Sequence, residues 1–590
     1  EIREKLVAVL ERFFDGVNLD DIEVEVTVAP EAAGADYASN VAMKLAGKVG
    51  RAPREVAAEL AEALRTEGME VNIAGPGFLN FILSNEYYSG KLAEIDKNLT
   101  NLGKNITCGE YDSDGDITQN EYLGKTVVAE FSDPNPFKVL HVGHLYTSVV
   151  GDAMARMMEF AGARVVRANF GGDVGLHVAK NMYAILRNVE KLAEVKEAGV
   201  DKIAEFLGKC YVEGTRAYED DEAAHAEITR LNRILFEISA AGPDYEWEDA
   251  EKAKIAEIYW WGREASYRYF DEFYARLGVK FDKYYPESAV AKRGLEKVRE
   301  QLAAGVYEES DGAVIFPGEK YDLHTRVFIN KEGLPTYEAK DVGLIFQKWD
   351  DWKFDKSIVI TGNEQNEYMK VVLKSVEQYA PELVERTVHL THGMVRLPGD
   401  AKMSSRLGNF VKAVDVLDII EGLLEKSYGK VDELVALGAV KYAFLKSRVG
   451  GNIIFDAEES VSMTGNSGPY LQYSCVRAKR ILTKLTSLDS SALADARFAL
   501  RTSSTVRSSA PAALNSSSED NFEKQLVKKI IQYPGVLAGA VGELAPHKLC
   551  NYLYELAQEF SRFYEKVAVV GSEREAERGR LVQIYNNIMT

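Results

Sequence analysis

The feature that most constrains the fold is a short apolar segment followed by a proline-broken turn and a long helical pattern. Residues 126–131 read TVVAEF, which is short, β-branched and apolar, as in a buried strand of a parallel sheet. The next stretch, DPNP at 133–136, interrupts the pattern because proline and its preceding residue resist helix. From Val139 to Phe160, apolar residues recur at helical spacing. We predict a strand, a turn and a helix whose first-turn N–H groups form an anion site.

Two histidines lie in the first turn of this predicted helix, within FSDPNPFKVLHVGHLY. His141 and His144 are three residues apart, so both project from one face of the helix. Gly143 between them allows a ligand to approach the backbone. Taken alone, this spacing favours structural histidines over ligand-binding ones. Motifs elsewhere in the sequence are needed to distinguish structural histidines from ligand-binding ones.

The string HVGH resembles the HIGH motif of class I aminoacyl-tRNA synthetases, which pair it with a KMSKS loop further along the chain. Here residues 402–406 read KMSSR and are followed by LGN. The strings FSDPNPFKVLHVGHL, ANFGGDVGLHVAK and KMSSRLGN are similar to those of arginyl-tRNA synthetases in particular, and the resemblance covers nearly the whole chain. It implies a ligase that activates L-arginine with ATP, releases pyrophosphate and transfers arginine to the terminal adenosine of tRNA(Arg).

Composition is that of an ordinary globular protein: 46% of the 590 residues are hydrophobic and 27% are charged. We expect no membrane span and no secretory signal, because apolar runs of about 18 residues are missing. Four widely separated cysteines, Cys108, Cys210, Cys475 and Cys550, favour reduced thiols in a cytoplasmic protein and argue against structural zinc. The chain begins without methionine and ends within an apolar, helical pattern, which is compatible with truncation at both ends.

The net charge of −20 opposes binding of a nucleic acid, whose backbone is a polyanion. Binding faces are local, however, and two later stretches are basic. Their cations are Lys441, Lys446, Arg448, Arg477, Lys479, Arg480 and Lys484. We expect a monomer, although no sequence feature determines the oligomeric state.

Three domains are predicted. Residues 1–105 read as a small α+β domain whose strings DYASNVAMKLA and AGPGFLNF resemble the tRNA-contacting N-terminal domain of the family; without the resemblance, a generic folding module would be preferred. Residues 106–412 predict the catalytic domain, an α/β, doubly wound, Rossmann-like parallel sheet with a mostly helical insertion at about 178–320. Residues 413–590 predict an all-α domain similar to the helical anticodon-binding domain. We expect a chain cut near Ala413 to leave a soluble catalytic core.

Strands of the central domain are predicted at residues 126–131, 164–170, 357–362 and 387–395. Ligands of doubly wound sheets bind beyond the carboxyl ends of the strands, and the motifs follow such ends. A strand is also predicted at 22–28 in the first domain, and a mobile linker at 487–521.

Asp112, Asp114 and Asp116 alternate as in a calcium-binding loop. Leu123 occupies the twelfth position, where such a loop needs glutamate, so a solvated acidic turn is favoured. We therefore expect no resident metal.

The resemblance implies which residues handle ATP. His141 and His144 would donate to the phosphates, and Lys402 would neutralise the departing pyrophosphate. KMSSR alone would suit a surface basic loop, but its pairing with HVGH favours the functional interpretation. Mg²⁺ would accompany ATP as it binds. The expected ATP-binding residues are Gly143, Gly172, Asp173, Gly362, Met403 and Ser404.

One position departs from the class pattern. Ser405 stands where KMSKS has its second lysine. Arginyl enzymes often vary there, and a lysine just upstream of HIGH is thought to compensate. Lys138, three residues before His141, fits that role. Which cation among Lys138, Lys402 and Arg406 carries most of the transition-state charge stays open.

An arginine pocket must hold a planar guanidinium that remains charged, so carboxylates are expected in it. By resemblance, Glu130, Asn135, Tyr337, Asp341 and Gln365 bind the substrate. Tyr337 and Asp341 are four residues apart on a predicted helix, hence on one face, and Asp341 is the candidate guanidinium anchor.

Two other functions are compatible with these motifs. One is a nucleotidyl transferase with a HIGH motif that makes no aminoacyl-tRNA; the N-terminal and helical domains argue against it. The other is a tRNA-binding paralogue without catalysis; the intact motifs and pocket residues argue against it.

Overall fold

A computed structural model describes residues 2–14, 22–30, 33–66, 69–99, 120–396, 411–430, 432–488 and 518–590. The chain forms two compact units. The first consists of Glu1–Leu99, Leu485–Ile531 and Arg562–Gly571, and the second of Thr100–Lys484, Gln532–Ser561 and Ser572–Thr590. The alternating aspartates, the KMSSR segment and residues 489–517 of the predicted linker lie outside the described residues.

The first unit contains a four-stranded antiparallel sheet with helices packed against it. Its N-terminal elements are α1 (Ile2–Phe13), β1 (Thr27–Val28), β2 (Tyr37–Ser39), α2 (Val41–Val49), α3 (Pro53–Thr66), β3 (Glu70–Ala74), β4 (Phe78–Ile82) and α4 (Asn85–Asn98). The strand order is β1-β2-β4-β3. The strand predicted at 22–28 is confined to β1, whose pairing with β2 covers only two residues.

The second unit is built on a five-stranded parallel sheet of order β12-β11-β5-β6-β7, which confirms the predicted fold class. Its elements as far as residue 396 are β5 (Thr126–Glu130), α5 (Val142–Phe160), β6 (Arg164–Gly171), α6 (Leu176–Arg187), α7 (Val189–Lys196), α8 (Val200–Asp220), α9 (Glu222–Ala241), α10 (Ala250–Leu277), β7 (Lys283–Pro286), α11 (Glu287–Ala303), β8 (Glu308–Ser310), β9 (Ala313–Phe316), β10 (Arg326–Ile329), α12 (Tyr337–Trp352), β11 (Lys356–Gly362), α13 (Asn366–Glu377), α14 (Pro381–Glu385), β12 (Thr387–His392) and β13 (Val395–Arg396). The middle strand, β5, is buried from Val127 to Glu130, so its apolar run is explained by helices on both faces.

The segment predicted as mostly helical, 178–320, contains helices as expected but also an edge strand of the sheet. This strand, β7, reads KYYP and pairs in parallel with β6. The pair β8 and β9 also falls in this range and joins β10 in a separate antiparallel sheet. The four residues of β7 are too few to distinguish a strand from a loop by periodicity.

Past residue 411, the described residues form helices and one two-residue strand. The elements are α15 (Ala413–Tyr428), α16 (Glu433–Leu445), β14 (Ile453–Ile454), α17 (Ala457–Ser460), α18 (Gly468–Leu488), α19 (Ser518–Ile531), α20 (Tyr533–Gly542), α21 (Pro546–Lys566) and α22 (Glu575–Met589). Residues 518–521, placed in the linker by prediction, are therefore helical. Within the described residues, we find no helix with the length and apolar character needed to cross a membrane.

Helices α15 and α16 share a hydrophobic core with α5. Buried Ile420, Val440 and Phe444 belong to the same cluster as Tyr146 and Val149 of α5. The rings of Tyr146 and Phe444 meet edge to face with their centroids 5.4 Å apart. A cut near Ala413 would expose this cluster to water, so the shared core argues against the expectation of a soluble catalytic core.

Candidate active site

The two histidines lie at the N-terminus of α5 and hold its first turn together. Nδ1 of His141 accepts a hydrogen bond from the main-chain N–H of Gly143 at 3.1 Å. Nδ1 of His144 accepts one from the main-chain N–H of His141 at 3.2 Å. A Cβ at position 143 would lie 2.8 Å from the His141 ring, so glycine is required for this close packing. Part of the helix cap is thus made of imidazole nitrogens.

Both histidines are neutral over the physiological range. Desolvation, followed by the charge of Lys138, lowers the pKa of His141 to about 4. Burial, then His141 and Lys138, lowers the pKa of His144 well below its ordinary value. Since each Nδ1 accepts a hydrogen bond from a main-chain N–H, the proton of each neutral ring is on Nε2. Two N–H donors therefore stand at the positive end of the helix dipole.

The turn between β5 and α5 is conformationally strained. Ser132, Asp133 and Phe137 have φ values of 74°, 47° and 66°, which non-glycine residues adopt only at a cost. Neighbouring elements hold Phe137 in place: its N–H donates to Oγ of Ser266 at 2.9 Å, and its carbonyl accepts from Nδ2 of Asn181 at 2.8 Å. The turn is fixed by its surroundings, as expected of a preorganised site.

This turn places Lys138 near both histidines. Its ammonium nitrogen lies 4.3 Å from the ring centroid of Tyr211, a cation–π distance. Its charge contributes to lowering the pKa values of His141, His144 and His177. A cation thus stands within electrostatic reach of the helix N-terminus.

The segment after the KMSSR motif is hydrogen-bonded to the start of the HVGH motif. The N–H of Val142 donates to the carbonyl of Val411 at 3.0 Å, and the N–H of Ala413 donates to the carbonyl of Leu140 at 2.9 Å. Through these two hydrogen bonds, His141 and Lys412 form an isolated antiparallel β-bridge. The predicted residues Lys402, Met403 and Ser404 lie outside the described residues.

Glu130, the last residue of β5, forms a buried ion pair. Its Oε2 accepts from the ammonium of Lys348 at 2.6 Å, and the two residues are 3% and 1% exposed, respectively. Lys348 also donates to Oγ of Ser357 at 3.1 Å. Within the described residues, the other oxygen of Glu130 has no hydrogen-bond donor.

Asp341 is buried on α12 and accepts a hydrogen bond from the hydroxyl of Tyr368 on α13. No lysine or arginine of the described residues lies within ion-pair distance of it. Burial is the main cause that raises the pKa of Asp341 to about 8, and the charges of Glu130 and Glu287 act in the same direction. A cationic ligand bound beside Asp341 would offset much of the free-energy cost of ionising this buried carboxyl group.

Asn135 and Gly172 contact each other at the carboxyl end of β6. Oδ1 of Asn135 accepts from the N–H of Gly172 at 2.8 Å. Asp173 next to them is fully buried, and its carboxylate accepts from Nε of Arg263 at 2.8 Å and from Oγ of Ser288 at 2.7 Å. Asp173 thus connects the turn after β6 to Arg263 of α10 and Ser288 of α11.

The other predicted pocket residues are more exposed. Tyr337 is 51% exposed, and its hydroxyl lies 3.4 Å from Nδ1 of His177. Gln365 is exposed in the 3₁₀ turn Asn363–Gln365 that follows β11. Gly362 ends β11, and a Cβ there would lie 2.5 Å from the Glu364 carboxylate. Gly362 and Gln365 therefore lie at the carboxyl end of β11, and Tyr337 lies at the N-terminus of α12.

Four residues of this region were missed by the sequence analysis: Lys340, Lys348, Tyr368 and Glu287. Lys340 and Glu287 form a second buried ion pair beside Gly172. Lys348 could have been found from its spacing, because it follows Asp341 by seven residues on the same helix. Tyr368 ends the string GNEQNEY, but nothing local links it to Asp341.

The basic stretches differ in their exposure. Lys441 is partly buried, which lowers its pKa, and Lys446 is paired with Glu459 at 2.6 Å. On α18, by contrast, Lys479 and Arg480 are exposed. Arg477 stacks on the exposed ring of Tyr473, 4.5 Å from its centroid. A local cationic and aromatic face therefore lies on α18.

Comparisons with known proteins agree with this geometry. The family model described as tRNA synthetases class I (R), catalytic domain, matches residues 113–457; the arginyl tRNA synthetase N terminal domain matches 1–83, and the DALR anticodon binding domain matches 471–590. An arginine–tRNA ligase of Treponema denticola is 30% identical over 536 residues, which is 87% of this chain and 82% of that protein. One from Borreliella burgdorferi is 29% identical over 576 residues, or 94% and 90%.

Solved structures show the same fold. The arginyl-tRNA synthetase of Thermus thermophilus superposes with a TM-score of 0.69 at 22% identity, covering 100% of this chain and 97% of its own. That of Plasmodium falciparum gives 0.67 at 19% identity, covering 100% and 95%.

Proposed function

The chain belongs to the arginyl-tRNA synthetase family, and from this premise we propose how its residues carry out the family's reaction. The protein is an arginine–tRNA ligase, which activates L-arginine with ATP, releases pyrophosphate and transfers arginine to the terminal adenosine of its tRNA. The observation that carries the residue assignments is the buried Asp341 carboxylate, which has a tyrosine hydroxyl and no described cation beside it.

Asp341 anchors the guanidinium of the substrate. A carboxylate offers two oxygens to the planar donor fork of arginine, whereas the point charge of a lysine ammonium uses only part of that geometry. Tyr337, Gln365, Asn135 and the second oxygen of Glu130 complete the pocket. The acidic surroundings support this assignment, because a bound cation stabilises carboxylates that otherwise raise one another's pKa.

ATP binds beyond the carboxyl ends of β5 and β11, with its phosphates at the N-terminus of α5. The Nε2–H groups of His141 and His144 donate to phosphate oxygens, and Gly143, Gly172 and Gly362 line the nucleotide site. Asp173, predicted to bind ATP, is fully buried and bonded to Arg263 and Ser288, so its role is to hold the turn that carries Gly172. Lys402, with Met403 and Ser404, meets the leaving pyrophosphate, and Lys138 supplies the charge that Ser405 lacks. Positioned donors and cations are what phosphoryl chemistry requires.

Mg²⁺ enters with ATP as part of the substrate. The described residues contain no group of three or more histidine, cysteine, aspartate or glutamate side chains suited to a metal ion. We assign the ion to the ATP that enters the site, whose phosphate charge it would neutralise.

The family's tRNA partner needs a cationic surface on an acidic protein. We assign this role to the exposed face of α18, within a helical anticodon-binding domain at 413–590, and a second contact to the domain at 1–105. The catalytic domain then spans 106–412. The protein works as a monomer in the cytoplasm.

Pyrophosphate exchange with each amino acid, with and without tRNA(Arg), tests the assignment. We expect exchange with arginine only, and strong exchange only when tRNA is bound, as the family resemblance implies. Exchange with a different amino acid would contradict the arginine pocket. Exchange without any tRNA charging would favour the nucleotidyl transferase alternative, and tRNA binding without exchange would favour a non-catalytic paralogue.

A further inference from the structure

A chain of buried hydroxyl groups is attached to the turn between β5 and α5. Oγ of Ser132 lies 2.8 Å from the hydroxyl oxygen of Tyr274 and 2.8 Å from Oγ of Ser148. All three residues are buried. Tyr274 belongs to α10 and Ser148 to α5, and Nδ2 of Asn169 in β6 reaches the Tyr274 hydroxyl at 3.3 Å. One serine of the turn is thus connected to two helices and a strand.

The groups at the two ends of the chain fix the direction of its hydrogen bonds. At one end, Oγ of Ser148 lies 2.7 Å from the carbonyl oxygen of His144, which can only accept. Ser148 therefore donates to His144, and Ser132 donates to Ser148. At the other end, Nδ2 of Asn169 can only donate, so Tyr274 accepts from it and donates to Ser132. In this direction every hydroxyl of the chain has both a donor and an acceptor.

Ser132 is held in a backbone conformation that serine usually avoids. Its φ of 74° lies in the left-handed region, which is costly for a residue with a Cβ and free of that cost for glycine. The two hydrogen bonds of its side chain stabilise this conformation. The turn leads on to Asn135, a predicted arginine-binding residue, whose Oδ1 accepts from the N–H of Gly172 at 2.8 Å. The conformation of Ser132 therefore affects where Asn135 lies.

Tyr274 is a rigid support for this purpose. Its ring meets that of Phe281 with the centroids 4.7 Å apart, and Phe281 contacts the ring of Phe131, which precedes Ser132, at 4.8 Å. Two residues further along α10, Arg276 forms ion pairs with three carboxylates of α15 and α16. The hydroxyl of Tyr274 is thus fixed by packing on one side and by a held helix end on the other.

We propose that Tyr274 is a positioning residue for arginine binding: its hydroxyl holds Ser132 in the left-handed conformation and so keeps the β5–α5 turn in the form that binds arginine. This inference rests on the proposed arginine site. Without the hydroxyl, the turn spends part of its time in conformations that do not bind arginine. Saturating arginine draws the turn back, so the KM for arginine rises while kcat is kept.

The test measures arginine-dependent pyrophosphate exchange by the full chain with tRNA(Arg) and saturating ATP. Tyr274→Phe should raise the KM for arginine about 5- to 30-fold, the factor that corresponds to the cost of a left-handed residue. Its kcat should stay within about twofold of the wild type. General loss of folded protein would have the opposite signature, because it lowers kcat and leaves the KM unchanged.

A glycine at position 132 makes the test specific for the backbone conformation. Glycine adopts a φ of 74° without the cost that serine has, so Ser132→Gly added to Tyr274→Phe should return the KM to within about threefold of the wild type. Ser132→Ala removes the same hydrogen bond from the other partner and keeps the Cβ. It should raise the KM as Tyr274→Phe does, so the result does not depend on the stability of a single variant.

Tyr307→Phe is the matched control. The hydroxyl of Tyr307 lies 3.1 Å from Oγ of Ser375, both residues are buried, and Tyr307 belongs to a different hydrophobic core. Losing this hydroxyl should lower the thermal unfolding midpoint about as much as Tyr274→Phe does, since each variant loses a buried hydrogen bond. The KM for arginine should stay at the wild-type value.

An unchanged KM in Tyr274→Phe, or a raised KM that Ser132→Gly does not lower, would overturn the proposal. An equal rise in Tyr307→Phe would also overturn it, because the effect would then be one of stability alone. Asp341→Asn, measured in the same assay, tests the arginine site itself: if its KM for arginine is unchanged, that site is contradicted. The two hypotheses therefore fail in different measurements.

Discussion

The ammonium nitrogen of Lys348 lies 2.6 Å from Oε2 of Glu130, and both side chains are almost completely buried. Removing one partner of a buried pair leaves an uncompensated charge, which typically costs about 3–5 kcal/mol. We predict that Lys348→Met lowers the free energy of unfolding by about that amount. Urea unfolding at neutral pH measures it.

Two controls accompany the Lys348 variant. Lys348→Met combined with Glu130→Gln should recover most of the lost stability, because no unpaired charge is left. Lys353→Met breaks an exposed pair with Asp350, 3.0 Å apart, and should change stability by less than about 1 kcal/mol. If Lys348→Met alone were as stable as the wild type, the charge of Lys348 would not be needed to neutralise the buried Glu130.

The second prediction concerns the imidazole rings at the start of α5. Replacing His144 with alanine removes an Nε2–H donor and one cap bond, so the rate of arginine activation should fall about 10²- to 10³-fold. Single-turnover measurement with saturating ATP, arginine and tRNA gives this rate. His225, on the exposed surface of α9 and stacked on Tyr218, offers a control histidine whose replacement should have no effect.

The lowered histidine pKa values also fix the pH dependence. The neutral form of His141 persists until the pH falls toward about 4, and the pKa of His144 is also lowered well below its ordinary value by burial. The rate should therefore show no histidine titration between about pH 6 and 8. An inflection near pH 6.5 that His144→Ala removes would contradict the neutral-donor arrangement.

The third prediction concerns the guanidinium anchor. Asp341→Asn keeps the shape of the side chain and the acceptor for Tyr368 but removes the charge. Loss of one partner of a desolvated charge pair costs about 2–5 kcal/mol, so the KM for arginine should rise roughly 30-fold to several-thousandfold. The KM for ATP should stay nearly constant. Unchanged KM for arginine would assign the anchor to another carboxylate, such as Glu130.

The fourth prediction concerns Lys138. If its charge compensates for Ser405, Lys138→Ala should lower the activation rate on the order of 10²- to 10³-fold with little change in ATP binding. Lys180→Ala is the matched control, since Lys180 stacks on Tyr218 at 4.4 Å as Lys138 stacks on Tyr211. Adding Ser405→Lys should restore part of the loss. Near-normal activation by Lys138→Ala would mean that Lys138 takes no part in the activation step.

Elements around the motif were predictable because their signals are local. The apolar run of β5 and the periodicity of α5 lie within a few residues of each other. The strand ends one residue earlier than predicted, and the helix begins at Val142 instead of Val139. The contacts that shape the pocket are not local: Lys348 and Glu130 are 218 residues apart in sequence. Nothing near either residue indicates that the other will neutralise it, so the pairing could be learned only from the fold.

The fifth prediction follows from another long-range relation. Helices α15 and α16 cover the apolar face of α5, although sequence periodicity gives no reason to join them to the sheet. A chain ending at Lys412 should therefore be recovered mainly as aggregate, while the full chain is not. Expression followed by size-exclusion chromatography compares the two. A soluble, cooperatively unfolding fragment would contradict the shared core.

Aminoacylation of a tRNA(Arg) transcript with labelled arginine or labelled lysine tests the central claim most directly. The claim is that Asp341, in an acidic pocket beside the histidine-capped helix, selects the guanidinium of arginine. The wild-type chain should charge arginine and reject lysine, and Asp341→Asn should charge arginine only at a much higher concentration. Efficient charging with lysine, or full activity of Asp341→Asn at low arginine concentration, would contradict it.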